Sequence, residues 1–226
     1  MAFKYRERAP QALDKRASQQ GGDFEGFIKD EFKTYSARKG DNWIRILPPT
    51  FDDAQHYGMD VHVHYGIGPE RASVLCNYKH FGTPCRICEE KAKLERIGDE
   101  AEAKELRINR RVLVWIEDKK DPDKGALAWA MPWTLDRDIC KISKDRNTGE
   151  IYQIDHPDDG YDVMFDKEGE KQQTKYVGIQ LARRPSSVED RLLDFIEDHP
   201  LPSILLERTY DEVSSLFDGG AAPPRK

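Results

Sequence analysis

Three of the four cysteines, Cys76, Cys85 and Cys88, fall within thirteen residues of a 226-residue chain. Pro84-Cys85-Arg86-Ile87-Cys88 sets the last two at CxxC spacing, at the start of a helix-forming stretch. Two thiolates so spaced reach one ion without strain, because the turn points both sulfurs inward. Three thiolates and one imidazole around a tetrahedral ion make a closed structural zinc site. His62 and His64 lie 14 and 12 residues before Cys76, and His80 lies between the cysteines. Only one imidazole is needed. His64 directly precedes Tyr65-Gly66-Ile67-Gly68, where the strand turns toward Cys76, so it is preferred, with His62 second and His80 third. The expected metal set is His64, Cys76, Cys85 and Cys88 around one Zn2+. Cys140 stands alone in an amphipathic stretch and reads as a small buried residue.

No apolar run approaches the ~18 residues that span a bilayer, and no apolar segment follows Met1 as a secretory signal requires. The cysteines therefore read as thiols of a reducing compartment, where metal binding is favoured over disulfides. Zinc with a Pro-Cys-x-x-Cys turn is half of the nucleobase and nucleoside deaminase signature. The other half, His-x-Glu, is missing: the matching triplet is His62-Val63-His64. A third cysteine also fills the position that a catalytic zinc leaves open for water. No Ser-His-Asp arrangement or phosphate-binding glycine loop is visible, and Gly66-Ile67-Gly68 precedes a strand rather than a helix. The chain is expected not to be an enzyme. A zinc deaminase and a zinc-ribbon protein-interaction adaptor are the competing readings.

Residues 1–22 lack apolar periodicity and read as a mobile arm. Asp23 caps an expected short helix carrying Phe24, Phe27, Ile28 and Phe32. Strands are expected over 42–47, 59–67, 71–77, 110–117, 126–133, 161–166 and 174–184. Along the second, Val61 and Val63 face one way and His62 and His64 the other. Asp121-Pro122-Asp123-Lys124-Gly125 is a hairpin turn. Helices are expected over 86–107, from Thr134 to Ile142, over 188–198 and over 210–217. Short antiparallel strands with helices between them predict a mainly β, α+β fold. Its expected form is an OB-fold-like antiparallel barrel over 23–187 with a small zinc subdomain inserted at about 60–107. An acidic helical region and tail over 188–226 complete the expected organisation.

Net charge is −6, which argues against a uniformly basic nucleic-acid binder but not against a local basic groove. Residues 1–40 carry nine Lys/Arg against six Asp/Glu, and residues 188–226 carry four against nine. The head is basic and the end acidic. Aromatics interleave with bases in Tyr78-Lys79-His80-Phe81, in Arg110-Arg111 before Trp115, and in Lys175-Tyr176 leading to Arg183-Arg184. Flat rings that stack on unpaired bases, with cations that follow phosphates, suit single-stranded nucleic acid. Candidate contacts are Arg45, Tyr65, Tyr78, Lys79, Phe81, Arg110, Arg111, Trp115, Lys175, Tyr176 and Arg183.

Taken in order, several of these segments resemble one family. They are Gly40-Asp41-Asn42-Trp43-Ile44-Arg45-Ile46-Leu47-Pro48-Pro49, Val63-His64-Tyr65-Gly66-Ile67-Gly68, the Cys76, Cys85, Cys88 cluster, the Trp115-Ile116 strand with its hairpin, and Tyr176-Val177-Gly178-Ile179-Gln180-Leu181-Ala182-Arg183-Arg184-Pro185. Over roughly residues 36–190 the chain resembles the zinc-containing single-stranded-DNA-binding, helix-destabilising proteins of tailed bacteriophages. The resemblance implies an OB-fold core with a zinc subdomain and places the family's histidine ligand on His64. It implies single-stranded DNA as the partner, in replication, recombination and repair in the cytoplasm of a bacterial host. It also implies a basic N-terminal arm that contacts neighbouring copies and an acidic C-terminal region that contacts replication proteins. The tail, ending Ala221-Ala222-Pro223-Pro224-Arg225-Lys226, departs from the family's long acidic extension.

Overall fold

In a computed structural model the residues described are 26–52, 54–145, 147–170 and 173–219. The basic arm of residues 1–22 lies outside them. Seven strands form one antiparallel sheet: β1 Gly40–Ile46, β2 Met59–Ile67, β3 Ala72–Leu75, β4 Ile108–Asp118, β5 Ala126–Pro132, β6 Val163–Glu168 and β7 Lys175–Leu181. Six α-helices accompany them among the described residues: α1 Asn77–Phe81, α2 Arg86–Ile97, α3 Glu100–Glu105, α4 Trp133–Ile142, α5 Asp190–Asp198 and α6 Tyr210–Asp218.

β4 organises the sheet. Its eleven residues alternate, so Leu113 and Trp115 enter one core while Val112, Val114 and Ile116 enter another. β2 and β1 follow one another along one edge of β4, pairing with its 108–113 and 116–118 stretches, and β5 pairs along the other edge. β6 and β7 continue outward from β1.

The first core holds Val61, Val63, Leu113, Trp115 and three alanines of β5 under Phe27, Leu192, Ile196 and Ile204. Residues 188–205 are thus built into the fold through their apolar side chains. The helix expected after Asp23 is not present in the described part of that segment. Residues 26–33 make turns there and an isolated bridge between Ile28 and Leu205, burying Phe27 and Ile28 without helical spacing.

The sheet is not closed into the expected barrel. The outer edge of β5 is occupied: Ala128 N–H donates to the Lys33 carbonyl at 2.9 Å, and Tyr35 N–H to the Ala128 carbonyl at 2.8 Å. α4 packs against both β5 and β7. The single helix expected over 86–107 is two. Gly98 ends α2 with φ 82°, and the Asp99 carboxylate then caps α3 by accepting from Glu102 N–H.

Candidate functional site

The region between β2 and β4 is a small unit with its own core, in which Ile67, Val74, Cys76, Cys85, Ile87 and Val213 pack together. Three elements supply the four residues of one cluster. His64 lies near the end of β2, opposite Val74 and Ile108, and is fully buried. The β2–β3 register shifts just beyond it, between His64 and Ile67. Cys76 is the N-cap of α1, its N–H donating to the His62 carbonyl at 2.8 Å. Cys85 is the N-cap of α2, and Cys88 sits in that helix's first turn. The helix N-terminus favours negative charge on both sulfurs.

His64 Nε2 lies 3.7 Å from Cys85 Sγ and 3.6 Å from Cys88 Sγ, and the Cys76 and Cys88 sulfurs are 3.5 Å apart. A tetrahedral zinc with bonds of about 2.3 Å to sulfur and about 2.0–2.1 Å to nitrogen has ligand atoms about 3.5–3.8 Å apart. These three separations are close to what such an ion requires, and all four donor atoms lie within 4.8 Å of one another. His64 Nδ1 is 3.0 Å from the Leu106 carbonyl, a contact that fixes the ring and leaves Nε2 for the ion. Of the three candidate histidines, His64 is the one in the cluster. His62 and His80 pair beside it, His62 N–H donating to His80 Nε2 at 2.9 Å.

The electrostatics of the cluster suit a cation. Burial disfavours an imidazolium at His64, but hydrogen bonds with Cys76 and Cys85 outweigh it and lift the group to about 9. Hydrogen bonds with Cys76 and Cys88 hold the Cys85 thiol far below its ordinary range, while those with Cys76 and Cys85 push Cys88 far above it. The cluster stabilises one negative charge and resists the next. A divalent ion removes that resistance, so this buried His/Cys3 group could hold a zinc-like ion.

The expected strand contacts scatter more widely. Tyr78, Lys79 and Phe81 are exposed on α1, with the Lys79 ammonium 5.9 Å from the Tyr78 ring centroid. Arg110 is exposed but paired, Nε and Nη2 donating to Asp60 at 3.1 and 2.7 Å. Half-buried Arg111 lies over the Tyr65 ring at 5.4 Å. Tyr176 is half-buried and edge-on to Phe165; burial raises its hydroxyl, opposed by the nearby Arg111 charge. Lys175 and Arg183 are exposed at the two ends of the β7 segment.

Two candidates are interior. Arg45 is fully buried, donating to the carbonyls of Ile154 and His156. Trp115 is 1% exposed and donates its indole N–H to the His199 carbonyl. Neither side chain can meet a bound strand. Cys140 is exposed rather than buried.

Sequence reasoning left two rings off its set of contacts. Trp133, at the start of α4, has Arg110 at 5.3 Å and Arg137 at 5.4 Å from its centroid. Trp43 is 39% exposed, and its indole N–H donates to buried Asp162 at 2.9 Å, which fixes the ring. The proximity of Trp133 to Arg-Arg across the β4–β5 pair was a usable signal, because Pro132 stands opposite Arg111.

Arg110, the Trp133 ring and Arg137 on α4 form a cation–ring–cation strip. Burial lowers the His62 pKa, and Lys79 and Arg110 lower it further against Asp60, so both cations act in the neighbourhood of His62.

Compared with known proteins, the chain matches no family model and no curated protein sequence.

Proposed function

We propose that this chain binds single-stranded DNA with little sequence preference, and that it belongs with the zinc-containing helix-destabilising proteins of tailed bacteriophages that its motifs resemble. The observation that carries the reading is the strip of Arg110, Trp133 and Arg137 together with Tyr78 and Lys79. It combines rings with cations, the combination that stacks unpaired bases and follows a phosphate backbone. A likeness to an OB-type core is part of the proposal, with the sheet open between β5 and β7.

Zinc has a structural role in this reading. Four protein donors fill a tetrahedron and leave no position for water or substrate. The ion holds α1 against β2 and so presents Tyr78, Lys79 and Phe81. No chemical step is needed, since a protein that binds single strands and not duplex opens the duplex by mass action.

The biological setting follows from the same reading: replication, recombination and repair of phage DNA in the bacterial cytoplasm. Lys4, Arg6, Arg8, Lys15 and Arg16 give the head the charge for contacts between neighbouring copies on DNA. The acidic C-terminal region contacts replication proteins. No helix among the described residues is long and apolar enough to cross a membrane.

The test is quenching of tryptophan emission by oligo-dT. Trp115 and Trp129 are buried, so Trp43 and Trp133 are the responsive reporters. Saturable quenching by oligo-dT, absent with duplex, supports the proposal. Equal quenching by both, or none, contradicts it and favours the zinc adaptor.

A further inference from the structure

We infer that His56, Asp136 and Cys140 form a second cation site, separate from the His64 cluster and suited to a borderline divalent ion such as Zn2+ or Co2+. The three donor atoms lie within 4.8 Å of one another. His56 Nε2 is 3.3 Å from Asp136 Oδ1 and 3.3 Å from Cys140 Sγ. Around a tetrahedral ion, nitrogen–oxygen and nitrogen–sulfur separations of about 3.3 and 3.6 Å are expected, so the first matches and the second needs the sulfur to move out by about 0.3 Å.

The site is assembled by the fold. Asp136 and Cys140 are four residues apart on α4 and share one helix face. The loop before β2 brings His56 over that face. The Tyr57 ring lies tilted against the His56 ring, centroids 3.7 Å apart, and its hydroxyl donates to Asp136 Oδ1 at 2.8 Å. One neighbour thus orients two of the three ligands, the support that metal ligands ordinarily have.

Imidazole, carboxylate and thiolate together select borderline transition ions over Mg2+ or Ca2+. Two negative ligands neutralise a divalent charge. Cys140 is exposed, so the fourth position opens to solvent. That separates this site from the closed four-donor cluster.

Binding has a defined proton balance. Gly58 N–H donates to His56 Nδ1 at 3.2 Å, so the neutral ring carries its proton on Nε2, between Asp136 and Cys140. The ion takes that proton's place. The ring proton passes to Nδ1 by exchange with solvent, which breaks the long Gly58 contact. Cys140 releases its thiol proton to solvent.

The experiment uses the full chain carrying one equivalent of zinc, titrated with Co2+ and followed by its near-ultraviolet thiolate-to-cobalt absorption. A second equivalent should bind with that absorption and without releasing zinc. His56→Gln and Cys140→Ala should each abolish it while zinc stays at one per chain. Tyr57→Phe should weaken it on the order of ten-fold. Failure to bind at millimolar Co2+, absorption that arises only as zinc is released, or binding by His56→Gln and Cys140→Ala equal to that of the wild type overturns the assignment.

Discussion

Arg45 Nε lies 3.9 Å from Asp162 Oδ1, and both side chains are buried. Asp162 also accepts from Trp43 Nε1 and from the Ser186 hydroxyl, and Arg45 holds the carbonyls of Ile154 and His156. A cation that the sequence offers for phosphate is instead the internal clamp of the 154–162 loop. Gly160 completes it, since a Cβ there would strike both terminal guanidinium nitrogens.

Arg45→Ala leaves Asp162 buried without its charge partner. We expect a loss of about 3–5 kcal/mol in unfolding free energy, the usual cost of removing one member of a buried pair. Denaturant titration measures it. Arg45→Lys should rescue little, because one ammonium cannot serve two carbonyls and a carboxylate in that geometry. A fully stable Arg45→Ala protein with weakened DNA binding would restore Arg45 to the interface.

Zinc should also hold the C-terminal helix. Val213 packs with Cys76 and Cys85, Tyr210 donates to Glu89 at 2.7 Å, and the Arg86 guanidinium lies 4.7 Å from the Phe217 ring centroid. Cys85→Ser should therefore release zinc and expose α6 along with residues 60–107 in amide exchange, leaving Trp115 protected. Protection of α6 in the metal-free protein would separate the two.

Gly68 offers an independent probe of that contact. Its φ is +67°, and a Cβ there would run into the Leu216 carbonyl. Gly68→Ala should cost at least the ~1–2 kcal/mol of a left-handed alanine, and more if α6 stays docked. Thermal unfolding of the variant, together with exchange at Leu216, reads both.

Lys120 sets a pH dependence at the start of β1. Its ammonium donates to Asp41, which holds that carboxyl below the ordinary aspartate value. A depressed acid contributes stability above its unfolded pKa and loses it as pH falls through the folded value. Lys120→Ala should bring the Asp41 midpoint back up in an NMR titration and remove that acid-side loss. The pair is exposed, so the change in overall stability should be small.

The strands and most helices are legible in the sequence because alternation and turn residues are local signals: Val61 and Val63 against His62 and His64, or Asp121 to Gly125 between β4 and β5. The CxxC turn makes the metal cluster legible for the same reason, and strand direction favours His64. Barrel closure is not legible. Whether β5 pairs with another strand or with Lys33 and Tyr35 depends on contacts nearly a hundred residues apart. Burial of Arg45 and Trp115 is equally hidden, since both stand on strands where either face is open to a long or aromatic side chain. The Trp133 strip is legible only in part: the β4–β5 hairpin sets Pro132 opposite Arg111, but the arrival of Arg137 on the same ring depends on how α4 packs.

Stacking and charge should separate by mutation along that strip. Trp133→Ala and Phe81→Ala should each lower affinity for oligo-dT by about 1–3 kcal/mol with the salt dependence unchanged. Loss of salt dependence in either would mean that the ring acts by positioning cations rather than by stacking.

The most direct test of single-strand binding through this face is the salt dependence of oligo-dT affinity for the wild type and for Lys79→Ala and Arg110→Ala. Each phosphate contact on a single strand adds about 0.7 to the slope of log K against log salt, so three to five contacts predict a wild-type slope of roughly −2 to −3.5. Each substitution should lower affinity and make the slope shallower by about 0.7. A slope near zero, slopes unchanged by both substitutions, or equal affinity for duplex of the same length would contradict the account.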